Sequence, residues 1–207
     1  MDKLKVGRKL LLLKNGFIEG NKEVLWACEI GEKEQALFEE VKDCFVPAKG
    51  FFKGEKNWFL GIIRDGIVFI PNELVKTAEL EKLKESHRQR IAEGVVYNLA
   101  RMHSKSIMLR NFSLANLLYG RDVVFLDPSK LARAMDSIGL VNEFLYAMKA
   151  LIMSDIVGKG NAQEYISAYF LRMKEACRAW YIRKYKIRPK KESEIVREMY
   201  DSIIMFH

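Results

Sequence analysis

The sequence predicts an α+β fold, with strands in its first third and helices thereafter, and three observations carry this. Short apolar stretches broken by Asn-Gly and Gly-Asn pairs fill the first third. Longer segments with apolar residues three and four apart begin near Arg90. Between Leu117 and Leu126 two very short apolar runs flank Gly120-Arg121-Asp122, a hairpin signal.

Taken in order, Lys9 to Lys14 and Val24 to Ile30 read as strands, with Asn15-Gly16 and Gly20-Asn21 as the turn residues between them. Glu32 to Lys42 reads as a helix with Ala36, Leu37 and Val41 on its apolar side and Glu39-Glu40 near its middle. Phe45-Val46-Pro47 and Trp58 to Ile63 are further extended stretches, and Arg64-Asp65-Gly66 marks a turn. A sheet of four or five strands with one helix fits this region.

Arg90 to Met102 then places Ile91, Val95, Val96, Leu99 and Met102 on one helical face that ends near His103. Ile107 to Asn116 has no clear period, as a loop would not. Asn116 stands just before the first hairpin strand and Asp127 just after the second, so antiparallel pairing brings an amide oxygen and a carboxylate to the same end. Two hard oxygen donors at one edge suit Mg²⁺, which takes few protein ligands and completes its shell with water and phosphate oxygens. Equally, Asn116 can open a turn and Asp127, followed by Pro128, can close a strand.

The segment Leu99 to Lys130 resembles the protein-kinase-like superfamily. Met102-His103 matches the Leu-His that ends the family's helix, Leu109-Arg110-Asn111 falls on His-Arg-Asp, Asn116 on the metal-binding asparagine five residues on, and Asp127 on the aspartate of Asp-Phe-Gly. The resemblance implies a two-lobed fold, a small β-rich lobe over 1–66 and a helical lobe over 67–207, with Arg64-Asp65-Gly66 as hinge. It implies ATP and Mg²⁺ as cofactors, bound through Asn116 and Asp127, and Arg110 and Asn111 at the catalytic position. It also implies a strand lysine paired with a helix glutamate. Glu39 or Glu40 fits the glutamate, Glu40 being the site residue that the resemblance implies. The strand before the helix has no lysine, which leaves Lys14 in the earlier strand as the substitute.

Departures from the family are as informative. Asn111 cannot take up the proton that the family's aspartate accepts, and no Gly-x-Gly-x-x-Gly loop occurs in the first fifty residues. Only eight residues separate Asp127 from Asp136, too few for a peptide-docking activation segment. That compactness is similar to the RIO-type and lipopolysaccharide-core sugar kinases. Asp136 either anchors the catalytic loop, as the resemblance implies, or caps the apolar helix that follows to about Ile156. Two expectations stand: a phosphotransferase on a non-protein acceptor such as a sugar or lipid-linked group, or a pseudokinase that keeps the fold without turnover. A basic nucleic-acid-binding α+β protein is the alternative outside the family.

With 207 residues, 49% of them hydrophobic, the chain can build one two-lobed domain or two small ones. The four residues Leu10 to Leu13 are too short for a signal-peptide core, and no run reaches the ~18–20 apolar residues of a membrane span. Cys28, Cys44 and Cys177 have no metal-ligand spacing and suit reduced thiols in a cytoplasmic protein. No Ser-His-Asp or Cys-His order stands out, so hydrolase chemistry has no foothold. The net charge of +8 concentrates between Arg172 and Lys191, where nine cations meet one acid, Glu175, with Trp180, Tyr181 and Tyr185 interleaved. This segment is expected to meet an anionic substrate, a membrane surface or RNA, or else to be a helix whose aromatics cover the core while its cations face water. Pro189 is expected to break it, and Glu192 to Phe206 to resume as an amphipathic helix.

Overall fold

The computed structural model describes the backbone over residues 2–6, 9–13, 17–19, 24–63, 67–68, 84–119 and 122–205. Lys14, the Arg64-Asp65-Gly66 turn and both Gly-Asn turn signals lie outside the described residues. The chain forms two compact units, one of residues 1–68 with 116–131 and one of 69–115 with 132–207. The sequence expectation divided the chain once, near residue 66, whereas the hairpin segment 116–131 groups with the first unit.

In the first unit, strands β1 (Asp2–Val6) and β2 (Lys9–Leu13) pair antiparallel. Strands β3 (Phe17–Glu19), β4 (Val24–Glu29), β5 (Ala48–Lys53) and β6 (Asn57–Ile63) form an antiparallel sheet in the order β3-β4-β6-β5. Alternation along β4 is what places its side chains. Leu25 and Ala27 join Leu60 in a small apolar cluster edged by Phe52, Trp58 and Ile62. Trp26 and Cys28, one residue out of phase, pair with Gly61 and Phe59 of β6. Strand β5 escaped the sequence reading because Ala-Lys-Gly-Phe-Phe-Lys has no alternation; it is held by pairing with β6 and by its phenylalanines.

Helix α1 (Glu32–Val41) buries Leu37, Phe38 and Val41. The Phe38 ring meets those of Phe45, Phe51 and Phe59 at centroid distances of 5.7, 5.6 and 5.1 Å, an aromatic core in edge and tilted contacts. Gly61 matters here because a Cβ would collide with a Val46 methyl and lie 3.0 Å from the Phe59 ring. The close approach holds Val46 in place, and its N–H donates to the Phe125 carbonyl at 2.9 Å. That bond fixes the end of the hairpin formed by β9 (Leu117–Tyr119) and β10 (Val123–Phe125), which also pairs with β7 (Ile67–Val68) through β9. Asp127 follows two residues later.

The second unit is helical: α2 (Glu85–His103), α3 (Ser137–Met153), α4 (Ala162–Arg172), α5 (Lys174–Tyr185) and α6 (Glu192–Ile204). After α2 the chain reverses through Ser106 at φ 55° into β8 (Ile107–Leu109), which pairs with β11 (Leu131–Arg133). The Phe144 and Tyr169 rings stack at 3.7 Å and join α3 to α4. Helix α5 stops before Pro189: Lys186 adopts the left-handed conformation, φ 59°, and its N–H donates to the Ile182 carbonyl, a helix-terminating geometry that the proline then follows. Among the described residues, no helix is long and apolar enough to cross a membrane.

Candidate functional site

The hairpin end is built from backbone outward. A short 3₁₀ turn, Leu114–Asn116, leads into β9, and the Leu126 N–H donates to the Asn116 carbonyl at 2.9 Å. This sets Asn116 beside the residue after Leu126, and the Asp127 N–H donates to Asn116 Oδ1 at 2.6 Å. Asp127 Oδ1 in turn accepts from the Ser129 N–H at 2.9 Å, with Pro128 opening the 3₁₀ turn Pro128–Lys130. Both side chains are partly exposed. Amide and carboxylate oxygens each carry more than one lone pair, so the local bonds leave acceptor capacity on both residues. An amide and a carboxylate so placed fit a hard cation that keeps most of its shell as water and phosphate. Among the described residues, no three His, Cys, Asp or Glu side chains gather as a closed metal cage would require.

Cys28 faces this end from β4. Burial pushes its thiol up beyond the ordinary cysteine range, and the adjacent Asp127 carboxylate, to which the thiol donates, pushes it further; the Ser129 N–H and Trp26 oppose the shift weakly. A thiol so shifted stays neutral, and, protonated or not, cysteine places no positive charge beside Asp127.

Arg110 and Asn111, both exposed, form the turn after β8. Asn111 sits at φ 61°, a left-handed conformation that asparagine and aspartate tolerate better than most residues. Beneath the turn lies a buried polar network. His103 Nε2 lies 3.0 Å from Glu143 Oε2 and Nδ1 lies 2.6 Å from the Tyr169 hydroxyl, while the Leu109 N–H donates to Glu143 Oε1 at 2.8 Å. In one arrangement Tyr169 O–H donates to Nδ1 and Nε2–H donates to the carboxylate; in another Nδ1–H donates to the Tyr169 oxygen, whose O–H turns to the Leu140 carbonyl 3.5 Å away. Burial raises the Glu143 carboxyl above its ordinary value, opposed by His103 and the Leu109 N–H. The strand leading to Arg110-Asn111 is thereby tied to α3.

Of the remaining site residues, Glu39 and Glu40 are exposed on α1, and Glu39 lies 3.7 Å from Lys42. Lys14 lies outside the described residues. Asp136 caps α3, accepting from the Gly139 N–H at 2.9 Å. The basic segment is less uniform than its sequence: Arg178 pairs with Glu175 and Glu192, both at 2.8 Å, Lys174 with Glu192 at 3.3 Å, and Arg183 reaches Asp136 at 3.7 Å. Folding adds acids from α6 and the α3 cap to cations whose one acidic neighbour within the segment is Glu175.

No family model matches the sequence, and no curated protein matches it. Among solved structures, one described as WaaP in complex with acyl carrier protein matches with a TM-score of 0.56 at 10% identity, covering 95% of this chain and 88% of that one. The fold is protein-kinase-like. Sequence reasoning did not find Cys28, Glu143 or Tyr169. The missing strand lysine was visible, but only the contact with Asp127 singles out Cys28, and Glu143 and Tyr169 lie 40 and 66 residues from the histidine they hold.

Proposed function

We propose that this kinase-like chain binds ATP with Mg²⁺ through Asn116 and Asp127 and transfers phosphoryl groups weakly or not at all. The observation that carries the reading is the Asn116–Asp127 pair, joined at 2.6 Å at the hairpin end of a protein-kinase-like fold. Mg²⁺ bound there would neutralise charge on the phosphate oxygens. Asn116 and Asp127 would orient the nucleotide, and Arg110 and Asn111 would face the acceptor. Lys14, with Glu40 as partner, is the proposed phosphate contact, since β4 offers the neutral Cys28 where a lysine is expected. Three free cysteines, two of them buried, agree with a reducing, cytoplasmic setting.

The pseudokinase form of this reading draws support from two positions. Cys28 beside Asp127 supplies no cation for the phosphates, and Asn111 takes up no proton from an acceptor. If transfer does occur, a small acceptor such as a sugar or a lipid-linked group suits the short path from Asp127 to Asp136, which holds one 3₁₀ turn and the three-residue β11.

The test is ATP turnover with Mg²⁺ in wild type and Asn111→Asp. Aspartate tolerates the left-handed turn, so the substitution changes chemistry rather than backbone. An increase of about tenfold or more is expected, modest for a general base because the transition state is loose. Lower turnover in the variant would show that Asn111 does not stand at the proton-accepting position.

A further inference from the structure

Helix α3 carries more apolar surface than one buried face requires. Leu140, Phe144, Ala147 and Leu151, spaced four, three and four apart, are buried. A second series with the same spacing, Ile138, Asn142, Leu145 and Lys149, lies two residues out of phase and so on the opposite face. An amphipathic helix would present polar residues throughout it. Here only Asn142 and Lys149 are polar, while Ile138 and Leu145 are half-buried apolar residues and neighbouring Tyr146 is 59% exposed.

This second face lines a cavity of about 530 Å³, inside the range of small-molecule sites. Its far wall is Trp180, Arg183 and Lys184 of α5 with Ser202 and Ile203 of α6. The Trp180 Nε1–H donates to Asn142 Oδ1 at 3.1 Å and ties wall to floor. Lys184 Nζ donates to Ser202 Oγ at 2.5 Å and lies 4.9 Å from the Trp180 ring centroid and 5.0 Å from that of Tyr185. Its charge is thus oriented by a hydroxyl and two aromatic faces. Arg183, whose guanidinium also lies 3.7 Å from the Asp136 carboxylate, adds a second cation and Lys149 a third, and the residues that line the space include no carboxylate. The last turn of a helix favours cations, which accounts for Arg183 and Lys184 being where they are. It does not account for the apolar floor facing them.

We propose that this cavity binds a phosphate monoester carried on an apolar body, the body on Ile138, Leu145, Tyr146 and Trp180 and the dianionic head on Lys149, Arg183 and Lys184. Three cations suit a doubly charged head. The apolar floor selects against free inorganic phosphate. The site is independent of the nucleotide reading, since every residue in it belongs to the helical unit and none to the Asn116–Asp127 pair.

Isothermal titration tests it with dodecyl phosphate below its micelle concentration and with 1-naphthyl phosphate, which separate an alkyl from an aryl body. Dodecyl maltoside, 1-naphthol and inorganic phosphate are the matched partial ligands. At least one ester is expected to bind saturably, about tenfold or more tighter than its uncharged counterpart and than phosphate alone. Arg183→Ala with Lys184→Ala, both exposed positions, should weaken it about tenfold or more while far-UV circular dichroism stays native, and excess ATP with Mg²⁺ should leave the affinity unchanged. No saturable binding of either ester would overturn the proposal. So would equal binding of the uncharged bodies, unchanged affinity in the folded double variant, or displacement by ATP.

Discussion

Glu143 is the residue whose placement most constrains the loop that carries Arg110 and Asn111. It accepts from the Leu109 N–H and contacts His103 in a fully buried setting, so its removal strands two polar groups. Glu143→Ala is expected to destabilise by about 3 kcal/mol or more in urea unfolding. Glu143→Gln keeps the shape and tests the charge. Because the folded carboxyl is raised above its unfolded value, its protonated form favours the fold: the contribution is full below the ordinary carboxylate range and is lost as pH rises through the raised value. Wild-type stability, measured against the Gln variant from pH 4 to 7, should therefore fall as pH rises, and a flat difference would mean that His103 fully offsets the burial. At this scale the sequence was legible only in part. His103, Asn116 and Asp127 stood out from local spacing, whereas Cys28, Glu143 and Tyr169 acquire meaning only from partners far along the chain.

At the scale of elements, the hairpin and the longer helices were readable for a physical reason. Leu117-Leu118-Tyr119 and Val123-Val124-Phe125 are short apolar runs around a polar turn, and α2 and α3 keep their apolar spacing from Ile91 to Met102 and from Leu140 to Ile152, about three turns each. Strand β5 was not readable, since Gly50 and flanking lysines hide a strand that exists through pairing and aromatic contact. The end of α5 was placed near Pro189 but falls at Tyr185, because the left-handed Lys186 terminates the helix first. Seating of the hairpin depends on Gly61, which lets Val46 approach β6 and hold the Phe125 carbonyl. Gly61→Ala is expected to cost about 1–3 kcal/mol by overpacking. Adding Val46→Ala should recover part of that loss, a favourable coupling measured by a double-mutant cycle; additive losses would mean that the Val46 contact is not the constraint.

For the whole molecule, the expected α+β, kinase-like fold agrees with the likeness to a solved structure at a TM-score of 0.56, a likeness of backbone rather than of sequence, since only 10% of residues are identical. Charge was the less reliable guide. Three of the nine cations between Arg172 and Lys191, namely Lys174, Arg178 and Arg183, meet Glu192 or Asp136 in three dimensions, which reduces the anionic partner surface that the sequence alone implied. Nucleotide binding at Asn116 and Asp127 is open to a thermal-shift titration of ATP with and without Mg²⁺, on wild type and Asp127→Ala. At a hundred times Kd, binding stabilises by about 2.7 kcal/mol, a rise in Tm of about 5 °C or more for a chain of this length. That rise is expected with Mg²⁺ present, a smaller one without it, and neither in Asp127→Ala. The same shift in Asp127→Ala, or none in wild type, would contradict it.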